Sequence, residues 1–211
     1  MSETATESIH VVGLCGSIRD NSFTRRALNV ALHGAQEMGA TVELVDLRDY
    51  DLPFCSGKDN QTDYPQDVFR LREDVSKAHG LIVATPEYHG SYAGVLKNAI
   101  DLMGFDQFEG KMLGLVGVSG GALGAVDALN SLRNIGRALH AWVVPQQASV
   151  ADAYKHFDDE GSMTNDTLKE RVLEVGRQVA RFAFLHSSQQ SQSFMNEWEQ
   201  ALPNPGGGRS T

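Results

Sequence analysis

Three short stretches concentrate the residue types that do chemistry: "GSIRDNSFT" at residues 16–24, "TPEYHGSYAG" at 85–94 and "SGGALGA" at 119–125. In the first, glycine lets backbone approach an anion, Ser17, Ser22 and Thr24 bring hydroxyls, and Arg19 brings a fork of charged donors. A helix capped by Asn21 or Ser22 would add free amides and a favourable dipole. These are the parts of a phosphate cradle, and with Arg19, Arg25 and Arg26 against Asp20 the segment is locally positive. A serine-capped helix start with surface arginines is the plainer alternative.

The second stretch crowds the flat polar rings of Tyr88, His89 and Tyr92 between Pro86, which stiffens the chain, and Gly90, which frees the next turn. Such a segment can lie along a planar heterocycle while its amides reach the ring's edge. Taken alone, His89 is a surface histidine, and Glu87 is either a general base or a solvated or locally bonded carboxylate. In the third stretch, Gly120 and Gly121 after Ser119 offer close approach and amide donors, as a plain glycine-rich turn also would.

Spacing removes other phosphate chemistries. There is no Gly-Lys-Ser/Thr run for a Walker loop, and Gly13 and Gly16 stand at the wrong interval for a dinucleotide fingerprint. Low-molecular-weight tyrosine phosphatases separate cysteine and arginine by five residues, whereas Cys15 and Arg19 are separated by three. Cys15 is therefore expected to be a small residue at a strand end.

The elements that must position these stretches follow from periodicity. Five aliphatic runs, 9–15, 41–47, 80–84, 111–119 and the brief "AWVVP" at 141–145, alternate with helical segments. Helix one carries Phe23, Ala27, Leu28, Val30, Ala31 and Ala35 and ends near Gly39; another helix is expected at 66–78, and others follow the second and third stretches. A last helix begins near the pair Thr167 and Glu170 and carries Leu168, Val172, Val175, Val179, Phe182 and Leu185 on one side. Strict alternation implies an α/β, flavodoxin-like doubly wound five-stranded parallel sheet of order 2-1-3-4-5, with helices on both faces. Ligands of such sheets sit beyond the strands' carboxyl ends, where all three stretches fall. One domain over 1–186 is expected, followed by a polar, mobile tail over 187–211 with a short helix around 194–202.

Composition narrows the partners. Eighteen Lys and Arg against 27 Asp and Glu give 18 − 27 = −9, the wrong sign for a nucleic-acid or anionic-membrane surface. Two cysteines, Cys15 and Cys55, make no disulfide framework and no metal spacing, and the first residues, "MSETATES", lack the apolar segment of a leader. A cytoplasmic protein without a metal, a nucleic-acid partner or a membrane partner is expected.

Together, "GSIRDNSFTRRAL", "PEYHGSYAGVLKNAID" and "VSGGALGA" resemble the NADPH-dependent FMN reductase family, whose flavodoxin-like members include quinone, azo-dye and chromate reductases. The resemblance implies a non-covalent FMN with its phosphate on Ser17, Arg19, Ser22, Phe23 and Thr24. It implies an isoalloxazine along Pro86, Glu87, Tyr88, His89 and Gly90, with its pyrimidine edge toward Ser119, Gly120 and Gly121. Many members carry Asn where this chain has His89. The implied activity passes a hydride from NADPH or NADH through FMN to a quinone, free flavin or similar small acceptor, so that flavin N5 and no side chain carries the hydride. A homodimer or homotetramer, with the helix from Val95 near the interface, is implied as well. A flavodoxin-like electron carrier and a non-enzymatic FMN-binding module would share the cradle, and the fold does not separate them.

Overall fold

Apolar residues that alternate along each central strand must be covered on two sides, and the computed structural model, which describes residues 8–57 and 63–200, shows both sides covered. In β1 (His10–Cys15), Val11 and Cys15 face one layer while Val12 and Leu14 face the other. The first layer holds α1 (Phe23–Glu37) and α6 (Asp166–Ser187); the second holds α2 (Gln66–Ser76), α3 (Gly94–Asp101) and α5 (Val126–Ala138). The sheet between them runs β2 (Thr41–Asp46), β1, β3 (Gly80–Tyr88), β5 (Met112–Val118), β6 (Trp142–Val150), every neighbour parallel. This is the expected order of five parallel strands. The numbering shifts because a two-residue strand, β4 (Ser91–Tyr92), pairs antiparallel with the end of β3.

α1 and α6 touch more closely than side chains allow. A Cβ at Gly34 would strike the Leu173 carbonyl, and one at Gly176 would strike the Ala31 carbonyl, so each helix presents a glycine where the other's backbone arrives. This contact seats α1, and therefore its amino terminus, against the sheet.

Four expectations need correction. The third strand does not stop at Ala84; it runs to Tyr88 because Thr85 and Pro86 pair with Gly117 and Val118 and the next two residues pair with β4. The fifth parallel strand does not end at Pro145: its register slips by two residues between the Leu113 and Leu115 pairings, and Pro145 falls within that slip, where no ladder hydrogen bond is demanded of it. The last core helix is capped by Asn165, whose side chain accepts from the Leu168 amide, so Thr167 lies inside the first turn. Beyond it, residues expected to lose the helical pattern form α7 (Gln189–Gln200). Ser188 starts this helix by accepting the Ser191 amide on its hydroxyl and the Gln192 amide on its carbonyl. The remainder of the expected 194–202 helix lies outside the described residues. A four-residue helix, α4 (Phe105–Phe108), completes the set. No helix among the described residues is long and apolar enough to cross a membrane.

Candidate functional site

The carboxyl edge of the sheet collects an unusual share of the buried polarity. Of the seven buried polar or charged residues among those described, five (Ser17, Ser22, Thr24, Asp46 and Thr85) lie there. A side chain is buried at such an edge only if something pairs with it or a ligand covers it.

Gly16 opens the first loop. Its amide donates to the Ala84 carbonyl at 2.8 Å, and a Cβ there would sit 2.8 Å from that carbonyl oxygen and 2.9 Å from the Cβ of Leu96, so only glycine lets the loop cross between β1 and β3. Ser22 then caps α1, its hydroxyl accepting the Arg25 amide at 3.2 Å. Ser17, Ser22, Phe23 and Thr24 surround the amino terminus of α1 and line a cavity of about 140 Å³ there, with Arg19 at its wall. Phe23 stacks on Phe157 with centroids 5.5 Å apart, which fixes the helix start against the far side of the site.

Arg25 organises this loop without facing the cavity. Its guanidinium donates to the carbonyls of Ser17, Arg19 and Asp20 at 3.2, 3.0 and 3.1 Å, and to the Asp46 carboxylate at 2.5 and 3.3 Å. Three carbonyls are thereby held away from any anion. Asp46, at the end of β2 and 4% exposed, also accepts from Arg48. Burial pushes its carboxyl upward, but the hydrogen bonds from Arg25 and Arg48 outweigh that and hold it below the ordinary value. Arg26 is committed as well, donating to the Asp158 carbonyl at 3.1 Å beside the Phe23 ring. The positive charge expected of this segment thus reduces to Arg19, which is exposed and forms no ion pair among the described residues.

The second stretch is a strand end and a tight hairpin. Pro86, Glu87 and Tyr88 line the cavity by their place on β3, whereas His89 and Gly90 form the tip of the turn and do not. Both have positive φ, 52° and 76°, the pair of left-handed residues that a type I′ turn requires. Histidine, with asparagine and aspartate, is among the residue types that tolerate this region. The Glu87 carboxylate reaches away to accept the Ala128 amide in the first turn of α5 at 3.0 Å, which is the locally bonded alternative rather than a general base. Thr85 locks the hairpin's base by accepting the Ala93 amide at 3.0 Å.

In the third stretch Ser119 and Gly120 line the cavity and Gly121 does not. The Gly121 amide donates to the Ser119 hydroxyl at 3.1 Å, so that donor is spent within the turn. Cys15 is buried; burial raises its thiol above the ordinary value, and the thiol donates to the Ser17 carbonyl at 3.7 Å, which leaves it a packing residue. Among the described residues no cluster of His, Cys, Asp or Glu could hold a metal.

Two wall features escaped the reading of the sequence. Ala153 and Tyr154 close the cavity's far side. They follow β6 directly, and ending that strand at Pro145 hid their position at the carboxyl edge. A second cavity, of about 600 Å³, adjoins the first through Ser17, Arg19 and Tyr88. Leu47, Leu52, Phe54 and Val95 make it apolar, and Tyr50, whose hydroxyl donates to Asp74 at 2.7 Å, stands at its side. Burial, then Asp74, pushes the Tyr50 phenol above its ordinary value and keeps it a donor.

A polar pocket on a helix amino terminus, adjoining a wider apolar one at the strand-order reversal of a 2-1-3 parallel sheet, defines a flavodoxin-like nucleotide-binding protein. Residues 9–155 match the NADPH-dependent FMN reductase family, and the chain belongs to it. It is 32% identical over 182 residues to the NADPH-dependent FMN reductase ArsH of Shigella flexneri, spanning 84% of this chain and 69% of that one. It is 33% identical over 152 residues to an FMN-dependent NADPH-azoreductase of Staphylococcus aureus, spanning 71% of this chain and 80% of the relative. Among solved structures, FerB, a flavoenzyme NAD(P)H:(acceptor) oxidoreductase from Paracoccus denitrificans, superposes with a TM-score of 0.66 at 26% identity, over 84% of this chain and 98% of that one.

Proposed function

We propose that the protein is an FMN-dependent NAD(P)H oxidoreductase that reduces small flat acceptors such as quinones, azo compounds or free flavin. The observation that carries this reading is the cradle at α1, with its buried hydroxyls and inward-held carbonyls, inside a chain whose residues 9–155 match an FMN reductase family. The residues fit the group. Ser17, Ser22 and Thr24 offer hydroxyls to a phosphate, the amides of Phe23 and Thr24 open α1, and Arg19 adds a guanidinium that forms no ion pair among the described residues. Pro86, Glu87 and Tyr88 with Ser119 and Gly120 supply the rigid backbone wall for the ring system.

Bound FMN would supply the hydride chemistry, accepting from NADPH or NADH and passing electrons on. The chain's own work is placement. Glu87 ties the wall to α5, Thr85 fixes the hairpin, and His89 and Gly90 form the hairpin's tip. The apolar cavity reached past Tyr88 admits the non-polar faces of an aromatic acceptor and keeps water from them. We assign the protein to the cytoplasm, and its assembly to a homodimer or homotetramer with α3 at one interface, where Val95 is exposed.

The test is purification without added flavin, a visible spectrum, and oxidation of NADPH and NADH with a quinone, an azo dye and free FMN. A yellow protein that turns over is expected. A yellow protein that neither nucleotide reduces would replace the enzyme by a carrier, and a colourless one that cannot be loaded would overturn the cradle.

A further inference from the structure

α7 is an amphipathic helix beyond the family's matched residues. Phe194, Met195 and Trp198, at positions i, i+1 and i+4, share one side and are all exposed, Phe194 by 64%. A second apolar feature lies nearby, at the amino-terminal edge of the sheet. There a groove of about 590 Å³ opens between the end of α1 and the last two turns of α6, with Ile9, Met38, Ala180, Phe184 and Leu185 as its walls and Arg181 beside them. Met38, Phe184 and Leu185 are exposed large hydrophobics.

The chain's own α7 does not lie back in this groove. Only Ser188 separates α6 from α7, and it is fixed: its amide donates to the Phe184 carbonyl at 3.0 Å while its hydroxyl and carbonyl cap α7. Two helices that return antiparallel need a loop of about 2–5 residues between them. None of the described residues of α7 is among the groove's walls, and α7 starts from the same end of α6 that the groove borders.

We propose that α7 of a second copy of this chain occupies the groove, and that the exchange is mutual. A patch that carries both the projecting helix and its receptor is self-complementary, which is what a two-fold interface demands. Charge agrees: Glu197 is on α7, and Arg181, exposed at the groove, forms no ion pair among the described residues. The sequence of α7, QQSQSFMNEWEQ, contains no lysine or arginine, so an anionic membrane surface does not suit it. Mutual exchange buries each contact twice, toward the roughly 1,200 Å² that a stable pair requires. The surface is remote from the flavin cradle, since Ile9 precedes β1 and Ala40 precedes β2 whereas the cradle lies at the strands' other ends.

Sedimentation velocity on the full chain tests this at tens of micromolar protein. The variant Phe194→Glu/Met195→Glu, and separately Arg181→Glu, should halve the mass of the particle relative to the unaltered chain, with FMN content and NADPH oxidation unchanged. Combining Arg181→Glu with Glu197→Arg should restore the original mass. Equal masses for the unaltered chain and the Phe194→Glu/Met195→Glu variant would overturn the proposal, as would an unaltered chain that sediments as a monomer. A failed flavin assignment would leave these masses as they are, so the two readings fail separately.

Discussion

Arg19, on the loop, and Arg25, six residues on in the first turn of α1, have opposite tasks, and the difference is testable. Arg19 is exposed at the cavity wall, so Arg19→Ala should remove a charged hydrogen bond of about 1.5–3 kcal/mol, weakening FMN at least tenfold in a fluorescence titration while leaving the melting temperature of the flavin-free protein unchanged. Unchanged affinity would remove Arg19 from the phosphate site. Arg25 acts through the carbonyls it holds, and Asp46 holds Arg25. Asp46→Asn leaves a mostly buried guanidinium short of its counter-charge and should cost about 3 kcal/mol in urea unfolding at neutral pH. The sign of the pH dependence follows from the depressed folded-state carboxyl. Its stabilisation is complete above the unfolded value, near about 4, and disappears as pH falls through the lower folded value. The gap between the two proteins should therefore stay constant from pH 8 to 5 and narrow only below about pH 4; a gap that closed by pH 6 would put another group in charge of the loop. The spacing of the loop's residues announced a cradle, but not which arginine was spent inside it, because the partner, Asp46, comes from a different strand.

At the scale of elements, the strongly periodic pieces were legible and the interrupted ones were not. Alternating apolar residues in β1 and the helical stripe of α6 identified the doubly wound sheet and the carboxyl edge where the three stretches fall. Pro145 hid half of β6 because a proline in a strand normally marks its end, and only the pairing with β5 shows that a slip in register accommodates it. Tyr154 was lost with it. His89 was legible as a type and not as a role, since its left-handed backbone comes from the β3–β4 pairing. The crossing of α1 and α6 was likewise invisible, because a glycine on a helix gives no sign of what packs against it. Gly176→Ala should cost about 1–3 kcal/mol through the collision with the Ala31 carbonyl, lowering the melting temperature by roughly 2–4 °C for each kcal/mol. A variant as stable as the parent would mean that the helices separate without penalty and that the seating of α1 is loose.

For the whole molecule the question is whether the flavin site exists before the flavin does. The loop carbonyls are held by Arg25, the hairpin by Thr85, the α5 terminus by Glu87 and Ser149, and the Gly121 amide by Ser119, each of them a partner within the chain itself. Binding then orders little chain, and its free energy adds to stability by simple linkage rather than being consumed in folding the loops. Flavin-free protein, prepared by mild denaturant or acid ammonium sulfate and returned to neutral pH, should therefore give the same far-ultraviolet circular dichroism as the loaded form and melt in one cooperative step. FMN at a hundred times its dissociation constant should add about 2.7 kcal/mol, which for a chain of this size raises the midpoint by roughly 5–10 °C. A flavin-free form with reduced helix signal, or a broad melt that sharpens only with FMN, would show that the cofactor builds its own site. In that case Arg25 and Glu87 would be reporters of the bound state, and Asp46→Asn would weaken FMN without lowering the melting temperature of the flavin-free chain.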